Sequence, residues 1–374
     1  MYTSFAVRNF RCFLELNMSN LKQVNLIAGT NNIGKTALLE ALFVHCGAYN
    51  PALALRINSF RGIEEFRVEF APWAETPWDS LFTGFDISQE IELRGNLKEP
   101  NGVSRSRILK LRVIRQPEEL TKIGQFVKFV SKETTIAPLS SKETAIASLS
   151  SGVAQVLELE CIELGQRTRY YMILDPQGPR TEPIPPPPPF PAIFLAARYR
   201  VPLTDDARRF GKLEIERRHD VVLEALKVIE PQLKDLAVVV TNSGPMLHGD
   251  IGIGKMIPLP LLGDGMARLA SLVLAIGNAP NGVVLVDEVE NGLHHTILPK
   301  VWEVIRKVAK EFNTQIFATT HSLECIKAAH KAFSQDENYD FSLHRLERVG
   351  KTLHVTTYDR ETLEAAIEMN LEVR

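Results

Sequence analysis

Apolar and polar positions alternate in TSFAVRNF and again in FLELNM, predicting a short antiparallel strand pair at the start of the chain. VNLIAG, residues 24–29, breaks that rhythm with a continuous apolar run, the pattern of a strand covered on both faces. A Gly/Asn loop follows, and KTALLEALFVHC then has helical spacing. From about residue 60 to 190 the alternation returns in EEFRVEF, ISQEIELRG, RILKLRVIR, VLELECIEL and TRYYMIL, predicting half-buried antiparallel strands. AIFLAA reads as a strand, EIERRHDVVLEALKVI as a helix, and LAVVVTNSG with PMLHGDIGIGK as a strand pair. From residue 264 the order is helix (GMARLASLVLAIG), strand (VVLVDE), helix (TILPKVWEVIRKVAKEF), strand (TQIFATTH) and helix (SLECIKAAHKAF). FSLHRLER and TLHVTTY form a last hairpin, closed by a helix over RETLEAAIEM. Alternating strand and helix implies a parallel sheet with helices on its faces. The predicted class is α/β at both ends, with a mostly β insertion between.

Two stretches of the insertion are low in complexity. SKETTIAPLS (131–140) is almost repeated by SKETAIASLS (141–150), a single local duplication that reads as a surface loop extension. PIPPPPPFP (183–191) reads as a stiff polyproline II spacer; a PxxP docking site is the alternative.

Composition narrows the class. With 374 residues, 45% hydrophobic and 24% charged, the chain has enough material for one large or two ordinary cores. Net charge is -2, so any nucleic-acid contact must use a local basic patch. The four cysteines (Cys12, Cys46, Cys161, Cys325) form no CxxC pair, which disfavours a zinc ribbon or disulfide framework and fits a reducing compartment. MYTSFAVRNFRCF lacks the apolar core of a signal peptide, and no apolar run approaches the roughly 18 residues of a membrane span. The expectation is a cytoplasmic protein with no membrane partner.

Chemistry enters with GTNNIGKT, residues 29–36, which fits G-x-x-x-x-G-K-[ST] between a buried strand and a helix. Gly29 and Gly34 allow the backbone N–H groups of Gly29, Thr30, Asn31, Asn32, Ile33, Gly34, Lys35, Thr36 and Ala37 to approach phosphates. Lys35 would reach the β- and γ-phosphates and Thr36 would hold Mg²⁺. VVLVDE then places Asp287 near the metal and Glu288 where it can polarise an attacking water. FATTHS brings His321 to the same sheet edge if the two strands are neighbours. LLGDGMARLASLVLAI puts Gly263, Asp264 and Gly265 at a helix start, either as a phosphate-binding terminus or as a turn with Asp264 as N-cap.

The order GTNNIGKT, GDGMARL, LVDEVENGLH, TTHS resembles ABC-type ATPase heads of the SMC/RecF/OLD-like group, labelled AAA15 or AAA21. VRNFRCF before the first motif is similar to that group's N-terminal lobe. The resemblance covers 1–60 and 192–374; 61–191 is the variable, mostly β insertion. It implies ATP and Mg²⁺ as ligands and a head-to-tail homodimer sandwiching two nucleotides. The 263–265 loop would come from the other protomer, ENGLH (290–294) would cross the interface, and Arg11 would approach the nucleotide, with Arg56 or Arg61 in a similar phosphate-facing role. DNA repair or antiphage defence, a separate effector protein and DNA as a partner are the implied setting.

Gly263 stands where the group has a serine, and Asp264 where a neutral residue suits a phosphate better. Neither Gln89 nor Gln116 has the context of the group's glutamine. Gly263 and Asp264 leave room for an alternative to ATP hydrolysis, an ATP-gated scaffold with negligible hydrolysis. A metal hydrolase on His294 and His295 is disfavoured, because adjacent histidines diverge where i, i+4 spacing is needed. GDIGIGKM (249–256) lacks the Ser/Thr after its lysine and reads as a β segment. Arg198, Arg200, Arg208, Arg209, Arg217 and Arg218 fit either a phosphate grip or i, i+4 ion pairs on a wet helix face. About fifty residues follow His321, and no long heptad run exists, so the expectation is a head without Toprim nuclease or coiled-coil arms.

Overall fold

The alternating N-terminal segments fold as β1 (Tyr2–Phe10) and β2 (Phe13–Met18), and the apolar run as β3 (Val24–Ala28), every residue of which is buried. The computed structural model describes residues 1–63, 74–99, 102–124, 154–197, 201–242, 244–350 and 352–374. Its residues divide into two compact units, one of 1–3, 18–39 and 190–374, the other of 4–17 and 40–189.

The first unit is built on a six-stranded sheet. In chain order its strands are β3, β9 (Ala192–Leu195), β13 (Val283–Val286), β14 (Gln315–Thr319), β15 (Phe341–Val349) and β16 (Thr352–Tyr358). Across the sheet the order is β16-β15-β3-β14-β13-β9. All neighbours are parallel except the β15–β16 hairpin. Burial on both faces explains why β3, β13 and β14 lack the polar alternation of a half-exposed strand. The one polar residue of β3, Asn25, satisfies itself: its Oδ1 accepts from Lys22 N at 2.8 Å and its Nδ2 donates to Lys22 O at 2.8 Å. Helices α5 (Asp264–Gly277), α6 (Leu298–Phe312), α7 (Leu323–Phe333) and α8 (Arg360–Glu368) follow in the predicted order. α6 stops where Asn313 takes a left-handed conformation, φ 51°. Their apolar faces pack Leu272, Val273, Ile276, Trp302, Ile305 and Phe333 into one core with Leu26, Val284 and Val286 of the sheet.

A three-stranded sheet, β10 (Asp235–Thr241), β11 (Gly244–Asp250) and β12 (Ile257–Pro258), also belongs to this unit. Two expectations are corrected here. GDIGIGKM does not continue as a strand: β11 ends at Asp250, whose carboxylate accepts from Gly252 N at 2.7 Å, and the glycines turn the chain through an exposed loop. The helix predicted over EIERRHDVVLEALKVI is two helices, α3 (Leu203–Ile215) and α4 (Asp220–Leu226). Pro202 caps the start of α3, earlier than the apolar spacing suggested, and the chain breaks between the two helices at Arg217, whose backbone is left-handed (φ 56°).

The second unit holds a seven-stranded sheet ordered β2-β1-β4-β5-β6-β7-β8, with β4 (Ile91–Lys98), β5 (Ser104–Ile114), β6 (Gln155–Glu163), β7 (Gln166–Asp175) and β8 (Gly178–Glu182). β4 through β8 pair antiparallel in sequence order. The β insertion therefore extends the sheet that the N-terminal pair begins, a grouping that motif coverage (1–60 against 61–191) does not draw. The Ser/Thr duplication at 131–150 and EEFRVEF lie outside the described residues. Pro186–Pro189 are exposed and belong to no helix or strand.

Candidate nucleotide-binding site

Register decides which side chains meet at the carboxyl edge of the parallel sheet. Val286 of β13 pairs with Ala318 of β14, and Ala318 with Leu26 of β3. The residues just past these positions, Gly29, Asp287 and Thr319–His321, leave the sheet side by side, where open α/β sheets bind ligands.

The loop after β3 is shaped by glycine. A Cβ on Gly29, φ 143°, would stand 2.7 Å from the Leu346 carbonyl oxygen, so no side chain fits there. Thr30, Asn31 and Asn32 are exposed, Asn32 in a left-handed turn at φ 60°, while Ile33 and Ala37 anchor the loop in the core. α1 (Lys35–Cys46) begins at the motif lysine, which places its free N–H groups at the loop. Lys35 Nζ donates to the carbonyls of Gly29 (2.7 Å) and Thr30 (3.0 Å). Burial lowers the pKa of this ammonium, and the carboxylates of Asp287, Glu288 and Glu290 act in the opposite sense.

Thr36 Oγ1 donates to the Asp287 carboxylate, 3.1 and 3.0 Å from its two oxygens. A hydroxyl and a carboxylate thus converge as hard oxygen donors, the set that suits Mg²⁺. Thr319, absent from the sequence-based site, completes the arrangement. Its Oγ1 donates to Asp287 Oδ1 at 2.7 Å and accepts from Glu288 N at 2.8 Å. Glu288 sits in a left-handed turn, φ 48°, and its Oε2 accepts from Asn291 Nδ2 at 2.6 Å.

Arg268 is a second residue the motifs did not single out. It lies on α5, and its Nη2 donates to the carbonyls of Asp287 and Glu288, both at 3.0 Å. Burial lowers its pKa, against the pull of Asp287, Glu290 and Glu288. A lone arginine in the apolar run GMARLASLVLAI was the available signal. At the start of α5, Gly263 and Asp264 are exposed. Gly263 occupies the cap position and Asp264 opens the first turn with no capping side-chain bond, so Asp264 is not the N-cap. A Cβ on Gly265 would come within 3.2 Å of the Gly292 carbonyl oxygen, which seats the ENGLH turn on the same helix start.

His321 emerges beside Asp287 as the strand order requires, with half its side chain exposed. Its backbone N donates to Glu290 Oε1 at 3.1 Å. His294 caps the short turn His295–Ile297 by accepting from Thr296 N, and the His294 and His295 rings lie 4.2 Å apart, tilted by 40°, both exposed. Among the described residues, no three His, Cys, Asp or Glu side chains gather as a metal cluster.

Arg11 belongs to the second unit, with a left-handed backbone (φ 54°). Its guanidinium pairs with the fully buried Glu40 carboxylate at 2.8 Å and donates to Asn58 Oδ1 at 2.9 Å. Arg61 grips the same carboxylate at 2.6 and 3.0 Å. Of the arginine-rich stretch, Arg208, Arg209 and Arg218 each face an acid, Asp205, Asp206 and Glu311. Arg198 and Arg200 lie outside the described residues. Gln89 and Gln116 are exposed on the second unit.

Residues 183–326 match the family described as "AAA domain, putative AbiEii toxin, Type IV TA system", a span containing GDGMARL, VDEVENGLHH and TTHS. A Helicobacter pylori protein named ATP/GTP phosphatase is 22% identical over 98% of both chains. The chain is also similar to an Smc head bound to the C-winged helix domain of ScpA (TM-score 0.48, 10% identity, 98% of this chain and 99% of that one). A Pyrococcus furiosus Smc head with an extended coiled coil has TM-score 0.46 at 10% identity, covering 99% and 98%. With four motifs meeting at one edge of a parallel sheet, the family match over 183–326 and the Helicobacter pylori relative make the chain similar to AAA-type ATPases.

Proposed function

We propose that the chain binds Mg-ATP at this sheet edge, hydrolyses it to ADP and phosphate, and couples the cycle to head-to-tail dimerisation. The observation that carries the reading is the Asp287 carboxylate held between the Thr36 and Thr319 hydroxyls beside the lysine of the Gly29–Thr36 loop. The loop's N–H groups and the start of α1 would receive the phosphates, and Lys35 would exchange its two carbonyl partners for β- and γ-phosphate oxygens. Thr36 and Asp287 would hold Mg²⁺, which when bound offsets charge developing on the transferring phosphoryl group. Glu288 would orient water in line with the γ-phosphate and take its proton, and His321 would donate to a γ-phosphate oxygen.

Gly263 and Asp264 are exposed at the start of α5, which supports the 263–265 loop meeting the nucleotide of a second copy. The name of the Helicobacter pylori relative supports triphosphate hydrolysis and leaves both purine bases open. A switch for a separate effector or for DNA, in repair or antiphage defence, is the setting that the motif resemblance suggests. A cytoplasmic site is in keeping with four free cysteines. No helix among the described residues is long and apolar enough to cross a membrane.

The second reading, a nucleotide-gated scaffold, rests on Gly263 and Asp264: the helix start offers a carboxylate and no hydroxyl to a phosphate. Light scattering on the Glu288→Gln protein tests the dimer. A doubled mass with Mg-ATP and a single mass without it is expected; a single mass in both overturns the sandwich.

A further inference from the structure

Glu290 lies two residues beyond Glu288, and the hydrolytic scheme gives it no task. Its side chain is 10% exposed, and all its partners sit at the end of the neighbouring strand. Oε1 accepts from Thr320 Oγ1 at 2.7 Å and from the His321 backbone N at 3.1 Å, and it stands 3.4 Å from His321 Nδ1. Oε2 is buried with no hydrogen-bond partner. A carboxylate withdrawn from water is costly unless it holds something in place, and one oxygen here faces three donors on two successive residues.

We infer that Glu290 is a positioning residue that orients the His321 imidazole, an inference that rests on the hydrolytic reading of the site. The backbone contact fixes the turn after β14 and the Thr320 hydroxyl fixes the carboxylate. The same oxygen then engages Nδ1, so that Nε2 is the nitrogen left to meet a phosphate. An accepting oxygen at Nδ1 fixes the ring's orientation, and an amide oxygen in the same place can do so as a carboxylate oxygen does. Glu290 also belongs to the ENGLH turn seated on Gly265, so a shift of that turn would move His321.

Phosphate release and ATP dependence are measured for wild type, Glu290→Ala, Glu290→Gln, His321→Ala and the Glu290→Ala/His321→Ala double variant. Glu290→Ala is expected to lower kcat about tenfold or more while KM stays within about twofold. Glu290→Gln, which keeps an accepting Oε1, is expected to stay near wild type. In the His321→Ala background, Glu290→Ala is expected to cost less than about twofold. A full multiplicative loss in that background, or an equal loss in Glu290→Gln, overturns the positioning role alone. A His321→Ala protein at the wild-type rate overturns this inference alone, and a wild type without turnover overturns the hydrolytic reading and this inference with it. If Glu290→Ala does not fold, Glu290→Asp, with its carboxylate drawn back by one methylene, replaces it in the cycle with the same expectations.

Discussion

Arg268 Nη2 lies 3.0 Å from the carbonyl oxygen of Glu288 and 3.0 Å from that of Asp287. One buried guanidinium thus ties the helix that begins at Gly263 to the backbone of both acidic residues. The left-handed backbone of Glu288 is a conformation that a non-glycine residue keeps only when its surroundings hold it. Arg268 from one side and the Thr319 hydroxyl from the other supply that hold.

Arg268→Lys removes the fork while keeping the charge. A kcat lowered about tenfold with nearly unchanged ATP affinity is expected, since hydrogen bonds from a charged donor contribute about 1.5–3 kcal/mol. Steady-state kinetics with a nucleotide-binding assay checks this. Equal losses in affinity and kcat would mean that Arg268 acts on the whole fold instead.

Thr319→Val keeps shape and deletes a hydroxyl that both donates and accepts. It leaves Glu288 N without its partner, so a stability loss of about 1–3 kcal/mol in urea unfolding is expected. The Mg²⁺ concentration needed for half-maximal turnover should also rise. Thr319→Ser should restore both, and a serine variant as damaged as valine would argue against the hydroxyl.

Arg11→Ala leaves the buried Glu40 with Arg61 alone. Urea unfolding should show a loss of about 1–3 kcal/mol, less than for a fully orphaned buried charge. If ATP affinity falls while stability holds, Arg11 serves the nucleotide as the motif resemblance implied, and the ion pair is incidental.

The parts of this arrangement differ in how far the sequence shows them. β3, β13 and β14 were legible because burial on both faces removes the polar alternation of a half-exposed strand, and GTNNIGKT because its glycines and lysine answer one geometric need. Thr319 and Glu290 were quoted within motifs yet given no task, since their importance lies in strand register: only the pairing of Val286 with Ala318 sets Thr319 against Asp287. Arg268 is 19 and 20 residues from its partners in the chain, and its contact to the carbonyls at 287 and 288 is visible only in the fold. The break at Arg217 was missed because helical apolar spacing continues across it.

Acid should weaken the first unit through His344, which lies on β15 between Thr357 and Asn25. Burial lowers its pKa to about 4 from an ordinary 6.5. The unfolded chain therefore binds a proton that the folded one refuses. Stability is complete above about pH 6.5 and declines as pH falls toward 4, by roughly 3 kcal/mol at 1.36 kcal/mol for each pH step. Thermal midpoints of His344→Gln should fall less steeply over that window than those of wild type; parallel slopes would remove His344 as a cause.

The central claim, that Glu288 activates water for attack on ATP held by Lys35, Thr36 and Asp287, is tested most directly by steady-state phosphate release with saturating Mg-ATP. The account predicts steady release by wild type and a Glu288→Gln protein that binds ATP as tightly but releases phosphate at least about a hundredfold more slowly. Release at the wild-type rate from a folded, ATP-saturated Glu288→Gln protein would contradict it.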